Sequence, residues 1–174
     1  MHRFNLIVSS SRFREEEAQD EIMDLLEMFG DSDSESEITE IRGIIVAHTT
    51  LNPFVVVDKL KELVEVEPWK VRHVLRVLPI EVVVQTEIDS IKGATKHLVS
   101  NIGSGDTFRI TIEKRHSPLA SMDIISTIAG EIDSKVDLED PDWIVLVEII
   151  GAQTGISLIE PDQIFSSIIE KRDK

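Results

Sequence analysis

The residues of this chain best equipped for chemistry are its cations. Trp69-Lys70-Val71-Arg72-His73-Val74-Leu75-Arg76 interleaves bases with one large aromatic. Lys92 and Lys96 stand four apart, so a helix puts them on one face. In Thr107 to Glu113 the apolar Phe108, Ile110 and Ile112 alternate with polar residues, among them Arg109. Such a strand is half-buried with one polar face, and Lys114-Arg115-His116 closes it. Donors from several elements are what a phosphate-tracking surface needs. Arg forks onto phosphate oxygens, and Lys supplies a point charge. Lys70, Arg72, Arg76, Lys92, Lys96, Arg109, Lys114, Arg115 and His116 are therefore the candidate RNA-binding residues. With no Tyr and six Phe, the chain lacks the rings for a broad base-stacking platform. Recognition of the shape and backbone of folded RNA fits better.

Catalytic chemistry has little to build on. His2, His48, His73, His97 and His116 are scattered, without metal-ligand spacing, and read as surface or hydrogen-bonded structural residues. No serine-nucleophile elbow or phosphate-loop lysine motif occurs. Ile102-Gly103-Ser104-Gly105-Asp106 has two readings: a backbone cradle for a phosphate, or a helix C-cap leading into a strand. Glu15-Glu16-Glu17 opens a helix, where acids complement the macrodipole. No catalytic, cofactor-binding or metal-ligating residue is expected.

The bulk charge of −15 argues against nucleic acid until its distribution is read. Phe13 to Glu40 holds twelve acids and one base, a net of −11. Trp69 to His116 holds eight bases and five acids, a net of +3. An acidic protein can carry a basic face. The 174 residues suit one domain or two small ones. With no Cys there is no disulfide framework or thiol nucleophile, which is compatible with a reducing cytoplasm. Met1-His2-Arg3 runs straight into Phe4 to Val8, so no signal peptide is read, and no apolar run approaches the roughly 18 residues of a membrane span.

The elements that must position the cations follow from periodicity. Phe4 to Ser9, Gly43 to Thr49, Val71 to Thr86 (interrupted at Pro79), Thr107 to Glu113, Trp143 to Ile150 and Gly155 to Ile159 read as strands. Arg14 to Phe29 reads as a helix with Ala18, Ile22, Leu25, Leu26 and Phe29 on one face, ended by Gly30. Asn52-Pro53 starts a second helix, as cap and first helical residue. Thr86 can cap a third, and Ser121 to Ile132 forms a fourth with Ile125, Ile128, Ala129 and Ile132 inward. Pro161 starts a last one burying Ile164, Phe165, Ile168 and Ile169. Asp31 to Glu37 lacks apolar residues to bury and reads as a mobile acidic loop.

Several of these segments together resemble the THUMP domain, an RNA-binding module of tRNA-modifying proteins. Thr107 to His116 looks like its first strand and Ala120 to Ile132 like the helix after it. Val136-Asp137-Leu138-Glu139-Asp140-Pro141-Asp142, Trp143 to Gly151 and Gly155-Ile156-Ser157 are similar to its later motifs. The preceding half is similar to the ferredoxin-like domain that accompanies THUMP in 4-thiouridine synthetases and some tRNA methyltransferases. The resemblance implies a mixed α/β (α+β) fold. In it, an N-terminal ferredoxin-like unit at 1–84, with its acidic loop at 31–37, packs on a C-terminal THUMP α/β domain at 85–174. With no catalytic domain read after it, the chain is similar to the stand-alone adaptors of RNA cytidine acetyltransferases. The implied partners are tRNA and such an acetyltransferase or another tRNA-modifying enzyme, with no membrane and a cytoplasmic location.

Three functions stay open. The first is a non-enzymatic adaptor that delivers tRNA to an enzyme making N4-acetylcytidine. The second is a protein-interaction module using the acidic half, with weak or no RNA binding. The third is an enzyme with an unrecognised site.

Overall fold

The computed structural model describes Met1 and residues 3–172, a mixed α/β arrangement with two five-stranded sheets. Two compact units divide it: residues 1–80 with 162–174, and residues 81–161.

The first unit is built from β1 (Leu6–Ser9), α1 (Glu15–Met28), β2 (Glu35–Ile38), β3 (Ile44–His48), α2 (Pro53–Val66) and β4 (Arg76–Pro79), with a 3-10 turn at Pro68–Lys70. Its antiparallel strands run in the order β4-β1-β3-β2, with a helix after β1 and another after β3. The apolar stripes of the two helices bury Ala18, Ile22, Leu25, Leu26, Val56, Val57, Leu60 and Val64 against Leu6, Val8, Ile45 and Ala47. Asn52 caps α2, its side chain accepting from the Phe54 N–H at 2.9 Å. Gly30, at φ 104°, ends α1. Its N–H bonds Glu27 O while Asp31 N–H bonds Leu26 O, a Schellman closure.

Asp31 to Glu37 departs from the expected mobile loop. Glu35 to Ile38 pairs with β3 as an edge strand, and Asp31 is 1% exposed. Acids alternating with small polar residues suit an edge strand with one solvated face. The C-terminus departs as well. β10 (Phe165–Ser166) pairs with β4, and α5 (Ser167–Lys171) follows it, so this segment belongs with the first unit rather than with 85–161. Phe165 is buried, but Ile168 and Ile169 are exposed, because so short a helix has only one inward side.

The second unit comprises β5 (Val82–Gln85), α3 (Ile88–Val99), β6 (Thr107–Arg115), α4 (Ser121–Ala129), β7 (Lys135–Val136), β8 (Trp143–Ile150) and β9 (Gln153–Ile159). Strand order is β5-β9-β8-β6-β7, with β6 parallel to both β7 and β8. Both helices pack on one face, where Ile91, Leu98, Ile124 and Ile128 meet Phe108, Val145, Val147 and Ile156. Ile124 takes the fully buried position expected of Ile125, a stripe rotated by one residue. Thr86 does not cap α3: Glu87 is the N-cap residue, and the Thr86 hydroxyl pairs with that of Thr154 at 2.8 Å. No helix among the described residues is long and apolar enough to cross a membrane.

Candidate nucleic-acid interface

The cations on β6 divide between the two faces of their sheet. Phe108, Ile110 and Ile112 face α3 and α4, so Lys114 stands on the helix side, and Arg109 and Arg115 on the other. That other side is not a solvated polar face. Neighbouring Ile144, Leu146 and Glu148 on β8 are each 3% exposed or less. Arg109 Nη1 donates to Leu138 O at 3.0 Å, and its Nε is buried without a hydrogen-bond partner among the described residues. Arg115 Nη1 donates to Glu148 Oε2 at 2.9 Å, with side-chain exposures of 19% and 1%. Both guanidiniums are thus bound to protein acceptors, and Arg115 is the cation of a buried ion pair.

Topology also separates the helix-side cations. Each helix here runs back between parallel strands, so its C-terminus lies near the strands' starts. Lys96 and exposed His97, in the last turn of α3, lie toward the start of β6. Lys114 and His116 lie at its far end, roughly 30 Å along for a strand of this length. Lys92, Lys96, Arg109, Lys114 and Arg115, all candidate donors, therefore do not share one basic surface.

The start of β6 is an acidic end. Asp106, Asp137, Asp140 and Asp142 gather there beside Lys135. Asp106 closes the glycine turn, its Oδ2 accepting from Gly103 N–H at 3.3 Å and Trp143 Nε1 at 2.9 Å. A carboxylate thus fills that N–H, which favours the capping reading over a phosphate cradle. Asp137 is held below the usual carboxylate range by the backbone N–H groups of Asp140 and Glu139. Lys92, on α3, is half-exposed and lies 3.6 Å from Glu131.

The end of β6 offers basic side chains with less competition. Lys114 is exposed, and its Nζ donates to Leu119 O at 2.9 Å. His116 is exposed, at φ 54°, where the chain turns away from the sheet. α4 begins here with Ala120 as its N-cap, which has no side-chain acceptor. First-turn N–H groups of such a helix present a partial positive charge. Glu113 and Asp123 are the nearest acids in sequence, and Ser117 to Ala120 and Gly151 to Gln153 are uncharged.

In the first unit, Lys70 pairs with Glu67 at 3.5 Å, and Arg72 Nε donates to Trp69 O at 3.2 Å. Lys70 and Arg72 share a groove with acids of α1, and Arg76 is exposed at the start of β4. His48 and His73 are half-buried; His2 lies outside the described residues. No group of three or more His, Cys, Asp or Glu among the described residues could hold a metal ion.

The second unit also has a counterpart among known domains. Residues 85–159 match the family model of the THUMP domain. The chain carries a THUMP domain. Its bounds nearly coincide with those of the second unit, 81–161. Among solved structures, PH1313 from Pyrococcus horikoshii Ot3 matches with a TM-score of 0.64 and 16% identity, over 91% of this chain and 55% of that one. TrmN from Thermus thermophilus matches with a TM-score of 0.59 and 13% identity, over 90% and 45%. A 4-thiouridine synthetase, solved as an RNA complex with bound ATP, matches with a TM-score of 0.58 and 16% identity, over 91% and 42%. The chain thus spans about half the length of each structure, and the likeness is one of fold. No curated protein matches the chain in sequence.

Proposed function

We propose that this chain is a non-catalytic tRNA-binding adaptor that presents tRNA to a separate modification enzyme, with cytidine N4-acetylation as the reaction served. The THUMP domain at 85–159 carries this reading. Its likeness in fold to a synthetase solved with RNA supports it. The binding face in this reading is the far end of β6, with Lys114, His116 and the open first turn of α4. A phosphate there meets an ammonium and backbone N–H groups together.

A filter-binding series with a tRNA transcript at rising salt tests it. With about two or three phosphate contacts, log K falls against log salt with a slope of about −1.5 to −3. Lys114→Ala makes that slope shallower by about one unit. An affinity that ignores salt, or a slope unmoved by Lys114→Ala, contradicts the proposed face. In the same series, a purified RNA cytidine acetyltransferase reaches half-saturation at lower tRNA concentration when the chain is added, and the chain alone leaves the tRNA nucleosides unchanged.

A further inference from the structure

A groove of about 470 Å³ in the first unit runs between α1 and the segment 70–73. One wall is Glu17, Asp20 and Asp24, a turn apart along the helix and spanning roughly 10 Å. Leu25 and Met28 continue the same wall, and Met28 is 47% exposed. Lys70, Arg72 and His73 stand on the opposite side.

The state of these charges decides what the groove attracts. Lys70 has Glu67, and Arg72 Nε has Trp69 O. Glu21 is spent within the fold: its two carboxylate oxygens accept from the backbone N–H groups of Arg72, His73 and Val74 at 2.7, 3.0 and 2.7 Å. Glu17 pairs with Arg14 at 3.1 Å. Asp20 and Asp24 have no ion pair or side-chain hydrogen bond among the described residues. A carbonyl leaves the Arg72 charge uncancelled, but the carboxylates of Glu17, Asp20, Glu21 and Asp24 outnumber the cations Lys70 and Arg72, so the groove's balance is negative beside an exposed, adaptable thioether.

We propose that this groove docks a cationic amphipathic segment of a protein partner. Lys or Arg side chains of the segment meet Asp20 and Asp24, and an apolar side chain seats on Leu25 and Met28. Helical spacing in the partner matches helical spacing in the wall. RNA, a polyanion, is repelled by the same acids, so the groove works independently of the THUMP domain. The partner is defined by this chemistry, and its test needs no RNA.

The probe is a fluorescein-labelled peptide of about 14 residues, made of Lys and Leu with the leucines at helical spacing. Its anisotropy is followed with the full chain. Asp20→Asn/Asp24→Asn weakens binding about tenfold. Asp58→Asn/Glu62→Gln removes the same charge from exposed positions of α2 and changes binding by less than about twofold. Met28→Ser weakens it too, and an all-Lys peptide binds markedly less well. Amide chemical shifts of the wild-type chain move at Asp20, Asp24, Met28 and His73 when unlabelled peptide is added, which locates the site even if a variant folds poorly. Equal losses in the two charge-removing pairs, or an all-Lys peptide that binds as well, would mean diffuse attraction to an acidic protein and would overturn the proposal. Shift changes that avoid the groove would overturn it too.

Discussion

Asp31→Asn lowers the unfolding free energy by about 2–4 kcal/mol in a urea titration at neutral pH. Asp31 is 1% exposed, and its carboxylate accepts four hydrogen bonds. Oδ2 accepts from the Thr49 hydroxyl at 2.5 Å and the Thr50 N–H at 2.8 Å. Oδ1 accepts from the Thr50 hydroxyl at 2.7 Å and the Asp33 N–H at 3.1 Å. An amide at this position turns one acceptor into a donor that faces donors, in a site with little water to absorb the mismatch.

The same residue gives a pH signature. Burial, the largest single influence, pushes the Asp31 pKa up. The hydrogen bonds from Thr49, Thr50 and Asp33 together outweigh it and leave the pKa below its ordinary value. A carboxylate depressed in the folded state stabilises fully above its unfolded pKa, near 3.9, and loses that contribution as pH falls through the lower folded value. The stability gap between wild type and Asp31→Asn is therefore constant near neutrality and narrows below about pH 4. A gap that stays flat to pH 2 would place the stabilisation in shape rather than in charge.

Arg115→Ala lowers stability by about 3–5 kcal/mol, because it takes the guanidinium away from a carboxylate that is 1% exposed. Arg115→Met/Glu148→Leu recovers most of that loss, since replacing both members of a buried pair by apolar side chains is often neutral or better. If the double variant is no more stable than Arg115→Ala, the pair is not the origin of the effect. The result also separates stability from RNA affinity. Weak tRNA binding by Arg115→Ala is to be judged only after its folded fraction is known.

Residues with one dominant demand were legible in the sequence. The Ala18-Ile22-Leu25-Leu26 stripe, Gly30 as stop and Asn52-Pro53 as start all have local causes, and the structure contains them as read. The buried run of β8 was legible for the same reason. Long-range demands were not. Nothing near Asp31 says that Thr49 and Thr50 will surround it, and a strand of Glu, Ser, Glu and Ile looks like a loop until β3 pairs with it. Deleting 31–37 would therefore remove an edge strand and a buried carboxylate rather than trim a tail.

One missed signal was present at the candidate site. Glu148 is the only charge in Trp143 to Ile150, a run apolar enough to be covered on both faces. A buried acid there calls for a base on a neighbouring strand. Arg115, on β6 beside it, meets that need and is not a free phosphate donor. Two-residue alternation put Arg109 on the face opposite Phe108, Ile110 and Ile112, and the structure puts Arg115 on that face too. Their sequence could not tell that this face is covered, and the basic side chains left exposed at the sheet's end are Lys114 and His116.

Photo-crosslinking of bound tRNA to the full chain, with the attached peptides read by mass spectrometry, tests directly where RNA sits. Crosslinks are expected in the segment from Lys114 to Met122, at the end of β6 and the first turn of α4. Crosslinks confined to the acidic groove, at residues 17–28 and 70–73, would contradict both the binding face and the division of labour between the two units.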